Sequence, residues 1–458
     1  MKIIAAAILP LLLAQAGCTL YHPKPLPTKP ALLQRIPQVV DKGDLQPATH
    51  PFNPDDGLDM TEVAILAVAN NPDLRTARDK QGIAASQLMA AGILPNPRLT
   101  AGLDHPFNAG PGYVNAFNLG LSYDVGTLVT RSAAVAAARS ASRKVDWSLL
   151  WQEWQVVQKT RLLFVRSIEE EKMRLELQRY RDLLADRYHR ADRAMQQGNL
   201  TIDAVSANLA ELQKVRGRLA ELERRHSQTG HELNALLGLA QDVPLSLTGG
   251  AELPLPDERG ARELLDQLPH RRPDLLALQA GYASQEEQLR RAILAQFPAL
   301  NIGLTRARDT SDINTYGFGV TLTLPVFDRN QGAIAVARAT RRQLYDEYQA
   351  RLDSAYSEAG NLLEQIALVR RQYREVEAAL PRLEKVLGTA EAALAAGTME
   401  FATFTTLRAS LFEKRLEALT LEQSLLEQQA ILQTVLGTDF RGLTDTPQIQ
   451  LAPKREKR

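Results

Sequence analysis

One cysteine, Cys18, occurs in 458 residues, so no intramolecular disulfide can brace this chain. Net charge is nearly absent: Lys+Arg 54 against Asp+Glu 53 leaves +1. That balance supplies neither the basic field a nucleic-acid partner needs nor an acidic one. Aromatic residues are 5% of the chain. Their scarcity, beside abundant Ala, Leu, Gln, Glu and Arg, favours long helices over a large packed core. No 18-residue apolar run follows the N-terminus, so no transmembrane helix is expected in the mature chain. Proline is missing from Gly112 to Val243, and glycine from Thr130 to Gln197. Nothing there interrupts a single helix of roughly 70 residues, about 100 Å long.

What the chain does contain is a copy of itself. Asn71-Pro72-Asp73-Leu74 returns as Arg272-Pro273-Asp274-Leu275, and Pro97 as Pro298, both 201 positions on. Gly198 and Gly238 return as Gly397 and Gly437, 199 positions on. So steady an offset marks one structural unit used twice, a pseudo-symmetric pair. The first repeat is placed at 58–240 and the second at 258–437. A linker at 241–257 joins them, and a tail at 438–458 follows.

The N-terminus reads as an export signal over 1–17, with Lys2 ahead of an apolar stretch and small residues after it. Cys18 follows Gln15-Ala16-Gly17, which resembles the lipobox of bacterial lipoproteins, although that motif usually has Leu where Gln15 stands. The resemblance implies a covalent lipid on Cys18 and, with Thr19 rather than Asp next, sorting to the outer membrane. Ala14-Gln15-Ala16 also fits ordinary A-x-A cleavage, which leaves Cys18 a free thiol. Residues 18–57, with eight prolines between 21 and 54, read as an extended tether.

Each repeat then follows one order. A helical pattern opens the first at Asp59, and Pro72 sits in the first turn of the next helix, which Pro95 and Pro97 end. A β-hairpin is predicted at 97–125, where Phe117, Leu119, Leu121 and Tyr123 alternate with Asn118, Gly120 and Ser122. Its counterpart at 299–327 alternates Tyr316, Phe318, Val320, Leu322 and Leu324 with Gly317, Gly319, Thr321 and Thr323. Long helices follow at 130–197 and 331–396. Breaks at Gly198-Asn199 and Gly397-Thr398 lead into helices at 201–237 and 399–436. Leu209, Leu212, Val215, Leu219 and Leu222 have the spacing of a coiled-coil seam. Pro381 is expected to kink the second long helix. In each half the two shorter helices, end to end, roughly match the long one beside them.

Strands with one apolar and one Gly/Thr/Asn face suit either a half-buried soluble sheet or a transmembrane β-barrel. The export signal and anchor favour the barrel. An open sheet edge cannot face lipid, because each unpaired N–H or C=O there costs several kcal/mol. Four strands cannot close alone, since single-chain barrels start at about eight. Copies must share the barrel, and three copies would supply twelve strands around a common axis. The expected fold is mainly α with transmembrane β: an internally duplicated long-helix coiled-coil barrel, plus four strands contributing to a trimeric 12-stranded outer-membrane barrel. Such a hollow object is a conduit.

From Asp59 to about Gly437 the chain resembles the TolC-like outer-membrane efflux proteins. The resemblance rests on the duplicated Asn-Pro-Asp-Leu and Arg-Pro-Asp-Leu starts and on Pro95-Asn96-Pro97-Arg98-Leu99. Leu324-Pro325-Val326-Phe327-Asp328-Arg329-Asn330-Gln331-Gly332 is similar to a segment of the CzcC-type branch, which serves heavy-metal efflux. The family implies a homotrimer in the Gram-negative outer membrane, with most of the chain in the periplasm. It also implies docking through a periplasmic adaptor onto an inner-membrane transporter, often proton-driven. Carried over by position, the adaptor-contact tips are Gly198, Asn199, Leu200, Gly397, Thr398 and Met399. Asp203 and Glu400 stand near the periplasmic constriction of the family, or are simply charges at helix N-termini. Drug efflux and type I secretion fit the same scaffold, and a lipid-anchored adaptor is the rival from another class.

No other motif carries chemistry. The seven histidines are scattered, and His226 and His231, five apart, read as solvated helix residues. No metal site, nucleic-acid surface, catalytic constellation or cofactor beyond the lipid is expected. Residues 168–174, rich in Glu, Lys and Arg, read as a solvated helix face. Trp147, Trp151 and Trp154 read as packing residues or as an interfacial belt.

Overall fold

Asp59 starts the ordered body by accepting hydrogen bonds from the Thr61 and Glu62 N–H groups, while Glu62 reaches back to the Asp59 N–H. This reciprocal cap satisfies donors a helix start would leave orphaned. It opens α1 (Met60–Asn70), which is buried continuously from Glu62 to Val68. Asn71 caps α2 (Pro72–Gly92) through the Asp73 and Leu74 N–H groups. Strands β1 (Arg98–Asp104) and β2 (Ala116–Asp124) precede α3 (Gly126–Gln196) and α4 (Ile202–Leu236). The second repeat runs through α5 (Glu258–Asp266), α6 (Leu268–Arg271), α7 (Pro273–Leu294), β3 (Leu300–Arg308), β4 (Asn314–Leu322), α8 (Gln331–Ala395) and α9 (Phe401–Leu436). The computed structural model describes residues 21–39, 52–107, 110, 112–250, 253 and 258–438. The signal at 1–17, Cys18 and the tail beyond 438 lie outside the described residues.

Helix α3, at 71 residues, is about 105 Å long and serves as a spine. Its first half meets α2 through Arg131 to the Gly92 carbonyl, Gln81 to Asp146 and Arg78 to Glu153. Its second half meets α4, where Leu177, Tyr180 and Leu184 pack on Leu212, Val215, Leu219 and Leu222. The opposite flank is shared in the same way, by α7 (Ser284 to the Ala137 carbonyl) and then by α9. Helix α8 meets α7 first and α9 later. The shorter helices are therefore stacked end to end against the long ones, in the order α2/α4, α3, α7/α9, α8. Where the stacks meet, α1 wedges Val63, Ala64, Leu66 and Ala67 against Leu150, Trp154, Val157 and Phe164 of α3.

All four strands form one antiparallel sheet, ordered β1-β2-β3-β4. The register aligns Leu99, Leu121, Leu304 and Phe318 in one cross-strand row, and Thr100, Gly120, Thr305 and Gly317 in the next. Because side chains alternate faces, one side is apolar and the other small and polar.

Several expectations need correction. The first long helix begins at Gly126, not 130, because Thr127 bonds back to Asp124 and winds the glycine into the first turn. Strand β4 ends at Leu322, so Leu324 lies beyond the sheet and eight residues precede α8. Pro381 stands inside α8, which is continuous from Gln331 to Ala395. Residues 21–32 of the tether are exposed, as an extended tether predicts, but the segment from Leu33 to Ile36 and the described linker are docked on the body. Leu33 bonds the Gly238 carbonyl and accepts from Ala240, and Leu58 pairs with Ser246 and Thr248. Their apolar side chains Leu33, Ile36, Leu245 and Leu247 find cover on the core, which a free tether would leave in water. Roughly 37 Å of helix separates Gly126 from Trp151, and Trp154 is buried in the core, so the tryptophans are packing residues and no interfacial belt.

Candidate functional site: an open-edged sheet and two helical tips

The apolar side of the sheet is bare. Leu99 and Leu103 of β1 are 69% and 72% exposed, and Tyr316 and Phe318 of β4 are 77% and 70% exposed. Leu119, Leu121, Leu304, Val320 and Leu322 join them. A contiguous apolar face of this kind marks contact with lipid or another protein. β1 and β4 are both edges, each with an unpaired row of backbone groups. The loop after β4 adds Leu324, Val326 and Phe327, the last 92% exposed.

At the far end of the spine, α3 closes on Gly198, whose φ of +76° is a left-handed turn that L side chains rarely adopt. The Gly198 N–H donates to the Met195 carbonyl and the Asn199 N–H to Ala194. Helix α8 ends identically: Gly397 has φ +70°, its N–H donates to Leu394, and the Thr398 N–H to Ala393. Both are Schellman-type stops that satisfy the last carbonyls of a helix. Asn199 and Thr398 are exposed, and Leu200 and Met399 half-buried. Glu400 is the N-cap residue of α9 without a side-chain cap bond, and Asp203 lies in the first turn of α4. Both carboxylates are exposed, but they are not equivalent, since 199 positions on from Asp203 stands Ala402.

A ladder between α3 and α9 brings the two tips to one end. Arg161 meets Gln433, Arg166 meets Glu427, Lys172 meets Glu422, and Glu176 meets Arg415. Tyr180 then stacks on Phe412 at 3.9 Å between ring centroids, and the Arg187 guanidinium lies 4.5 Å from the Phe401 ring. As one helix ascends, the other descends. Burial pushes the Tyr180 hydroxyl up to about 12 and holds the Arg187 guanidinium below its ordinary value. Arg187, Phe401, Tyr180 and Phe412 were not legible as a site, because their partners lie on the other repeat. The only sequence signal was three phenylalanines, Phe401, Phe404 and Phe412, near the start of α9.

The run at 168–174 is not a solvated face. Glu169 and Glu170 are 1% and 4% exposed. Burial raises both carboxyls above their ordinary value; hydrogen bonds from Lys172 to Glu169 and from Thr229 to Glu170 offset this only in part. Lys172 bridges Glu169 at 2.7 Å and Glu422 at 3.0 Å. His226 is likewise not a free surface histidine, since its Nδ1 stands 3.7 Å from Glu170. His231, by contrast, is exposed. Among the described residues, no group of three or more His, Cys, Asp or Glu is arranged to hold a metal ion, and no helix is long and apolar enough to cross a membrane.

Comparison with known proteins bears on this geometry. The family described as "Outer membrane efflux protein" matches residues 264–438. The cobalt-zinc-cadmium resistance protein CzcC of Cupriavidus metallidurans is 28% identical over 265 residues, covering 52% of this chain and 62% of CzcC. The pyoverdine export outer membrane protein OpmQ of Pseudomonas aeruginosa is 24% identical over 416 residues, 82% of this chain and 85% of OpmQ. Among solved structures, CusC superposes with a TM-score of 0.71 at 19% identity over 91% of this chain and 99% of its own. VceC of Vibrio cholerae does so with a TM-score of 0.69 at 16% identity, over 83% and 96%. The first of these curated relatives is thus matched over less than two thirds of its length.

Proposed function

We propose that the chain is an outer membrane efflux protein, the family whose model matches residues 264–438, and that it is the exit duct of a tripartite efflux system in the Gram-negative outer membrane, a reading supported by the likeness to CzcC and to the CusC fold. Three copies close a shared pore. A periplasmic adaptor meets the tips at Gly198–Leu200 and Gly397–Met399, and an inner-membrane transporter, proton-driven, supplies the cargo. The single observation that carries this reading is the four-stranded sheet with two open edges and a bare apolar side. Lipid tolerates neither edge, so identical neighbours must cover them. Helix α8 supports the same conclusion, since only one of its faces is packed while Val336, Tyr345 and Val386 are exposed.

Heavy-metal cations are the cargo favoured by the likeness to CzcC, a cobalt-zinc-cadmium resistance protein. A duct needs no ligand set for what passes through it. The longer match to a pyoverdine export protein favours an organic cargo as the second reading. Deleting the gene and testing growth on zinc, cobalt, cadmium, copper and organic toxicants separates the two. Sensitivity to divalent metals supports the first; sensitivity confined to organic compounds overturns it. Asp203 and Glu400 would line the periplasmic constriction, and the covalent lipid would sit on Cys18. Cys18→Ala should then abolish palmitate labelling, and undiminished labelling would remove that assignment.

A further inference from the structure

The apolar side of the sheet changes character at one end. Along β3 the residues on that side are Leu300, Ile302 and Leu304, followed by Arg306 and Arg308. The register places Arg306 in a row with Ala101, Leu119 and Tyr316, and Arg308 in a row with Leu103, Phe117 and Asn314. Leu103, Leu119 and Tyr316 in these rows belong to the bare apolar side described above. Arg306 lies ~7 Å and Arg308 ~14 Å beyond Leu304 along the strand, toward the hairpin turns and away from the helices. With the helices in the periplasm, that end is the outer leaflet.

An arginine on the lipid side of a barrel is costly at the midplane and nearly free at the interface. These two are also held in place. The Arg306 guanidinium lies 5.4 Å from the Tyr316 ring and Arg308 lies 5.5 Å from the Phe117 ring. Stacking fixes the planar group while leaving its edge N–H donors free. Arg308 spends part of its capacity on the Asn115 carbonyl at 3.0 Å and on Asp312 at 3.4 Å. Arg306 is exposed and has no carboxylate within ion-pair distance among the described residues. A guanidinium fork on an apolar face, at headgroup height, is complementary to a phosphate group.

We propose that Arg306 and Arg308 form a binding site for the phosphate groups of the outer-leaflet glycolipid, lipopolysaccharide. The proposal rests on reading the sheet as part of an outer-membrane barrel. In a threefold assembly it places three such pairs around the belt, each clamping one phosphorylated sugar headgroup while acyl chains cover Leu304, Phe318 and Leu121.

The test uses the full chain in detergent, titrated with bisphosphorylated lipid A, enzymatically dephosphorylated lipid A, and phosphatidylglycerol, with bound lipid read by native mass spectrometry. Bisphosphorylated lipid A should bind at least tenfold more tightly than its dephosphorylated form. R306Q/R308Q should lose that preference, and R306K/R308K should keep part of it. Equal binding of the two lipid A forms by the wild type overturns the site without any variant. So does a preference that survives in R306Q/R308Q, while phosphatidylglycerol matching bisphosphorylated lipid A overturns the glycolipid as occupant. Should the double variant not assemble, R306Q alone tests the group that forms no ion pair. Bilayer conductance is measured on the same wild-type sample. Conductance without phosphate preference sinks this site alone, and phosphate preference without conductance sinks the duct alone.

Discussion

Arg272 shows how a repeated motif can keep its place and change its means. Asn71 caps α2 with its side-chain oxygen and donates to the Leu236 carbonyl. Its counterpart Arg272 is 1% exposed and forks onto Asp274 at 2.9 and 3.0 Å, with Arg351 also on Asp274 and the Trp151 ring beneath. The sequence showed that both positions matter but not that one had become a buried ion cluster, because Arg351 and Trp151 are distant in the chain. Arg272→Ala should cost about 3 kcal/mol, the low end for breaking a buried pair, since Arg351 still holds Asp274. A chemical-denaturation shift worth less than about 1 kcal/mol would contradict the cluster's role. Glu170 is the opposite case, a buried carboxyl that folding prefers neutral. Its folded pKa lies above the ordinary 4.5, so its stabilising contribution is complete below that value and is lost as pH rises through the raised pKa. Thr229, His226, Arg166 and Arg225 face it. Glu170→Gln should therefore raise the melting temperature at pH 8 and change it little at pH 4.5. Equal gains at both pH values would refute the assignment of charge burial as the cause.

At the scale of elements, periodicity and punctuation carried furthest. The absence of glycine and proline marked α3, and the glycines at 198 and 397 marked its stop and that of α8. Boundaries set by tertiary contacts were not legible: the eight residues between β4 and α8, the docked linker, and the start of α3 at Gly126. Charge at 168–174 misled because composition alone cannot reveal that α4 and α9 flank α3 on both sides there. The tips yield a direct prediction. Proline fixes φ near −65° and removes the N–H, whereas both tip glycines need positive φ and donate to Met195 or Leu394. Gly198→Pro and Gly397→Pro should abolish efflux while leaving oligomers intact, since the sheet and the α1 core lie elsewhere. Normal efflux in both variants would count against the tips as the docking end.

For the whole molecule, the layer order leaves two flanks unpartnered: α8 on one side and the α2/α4 stack on the other. Ile83 and Met89 on α2 and Val336 and Tyr345 on α8 are exposed, and the proposed ring of copies would cover both flanks. Duplication and the number of strands were readable in the sequence because each follows from counting, offsets in one case and alternating segments in the other. Cargo was not, since the proposed duct needs no binding residues for what passes through it. The open sheet edges need further copies to cover them in lipid, and the most direct measurement is the native mass of the detergent-solubilised protein. It should equal three chains with their lipid; a stable single chain whose sheet edges stay open would contradict it.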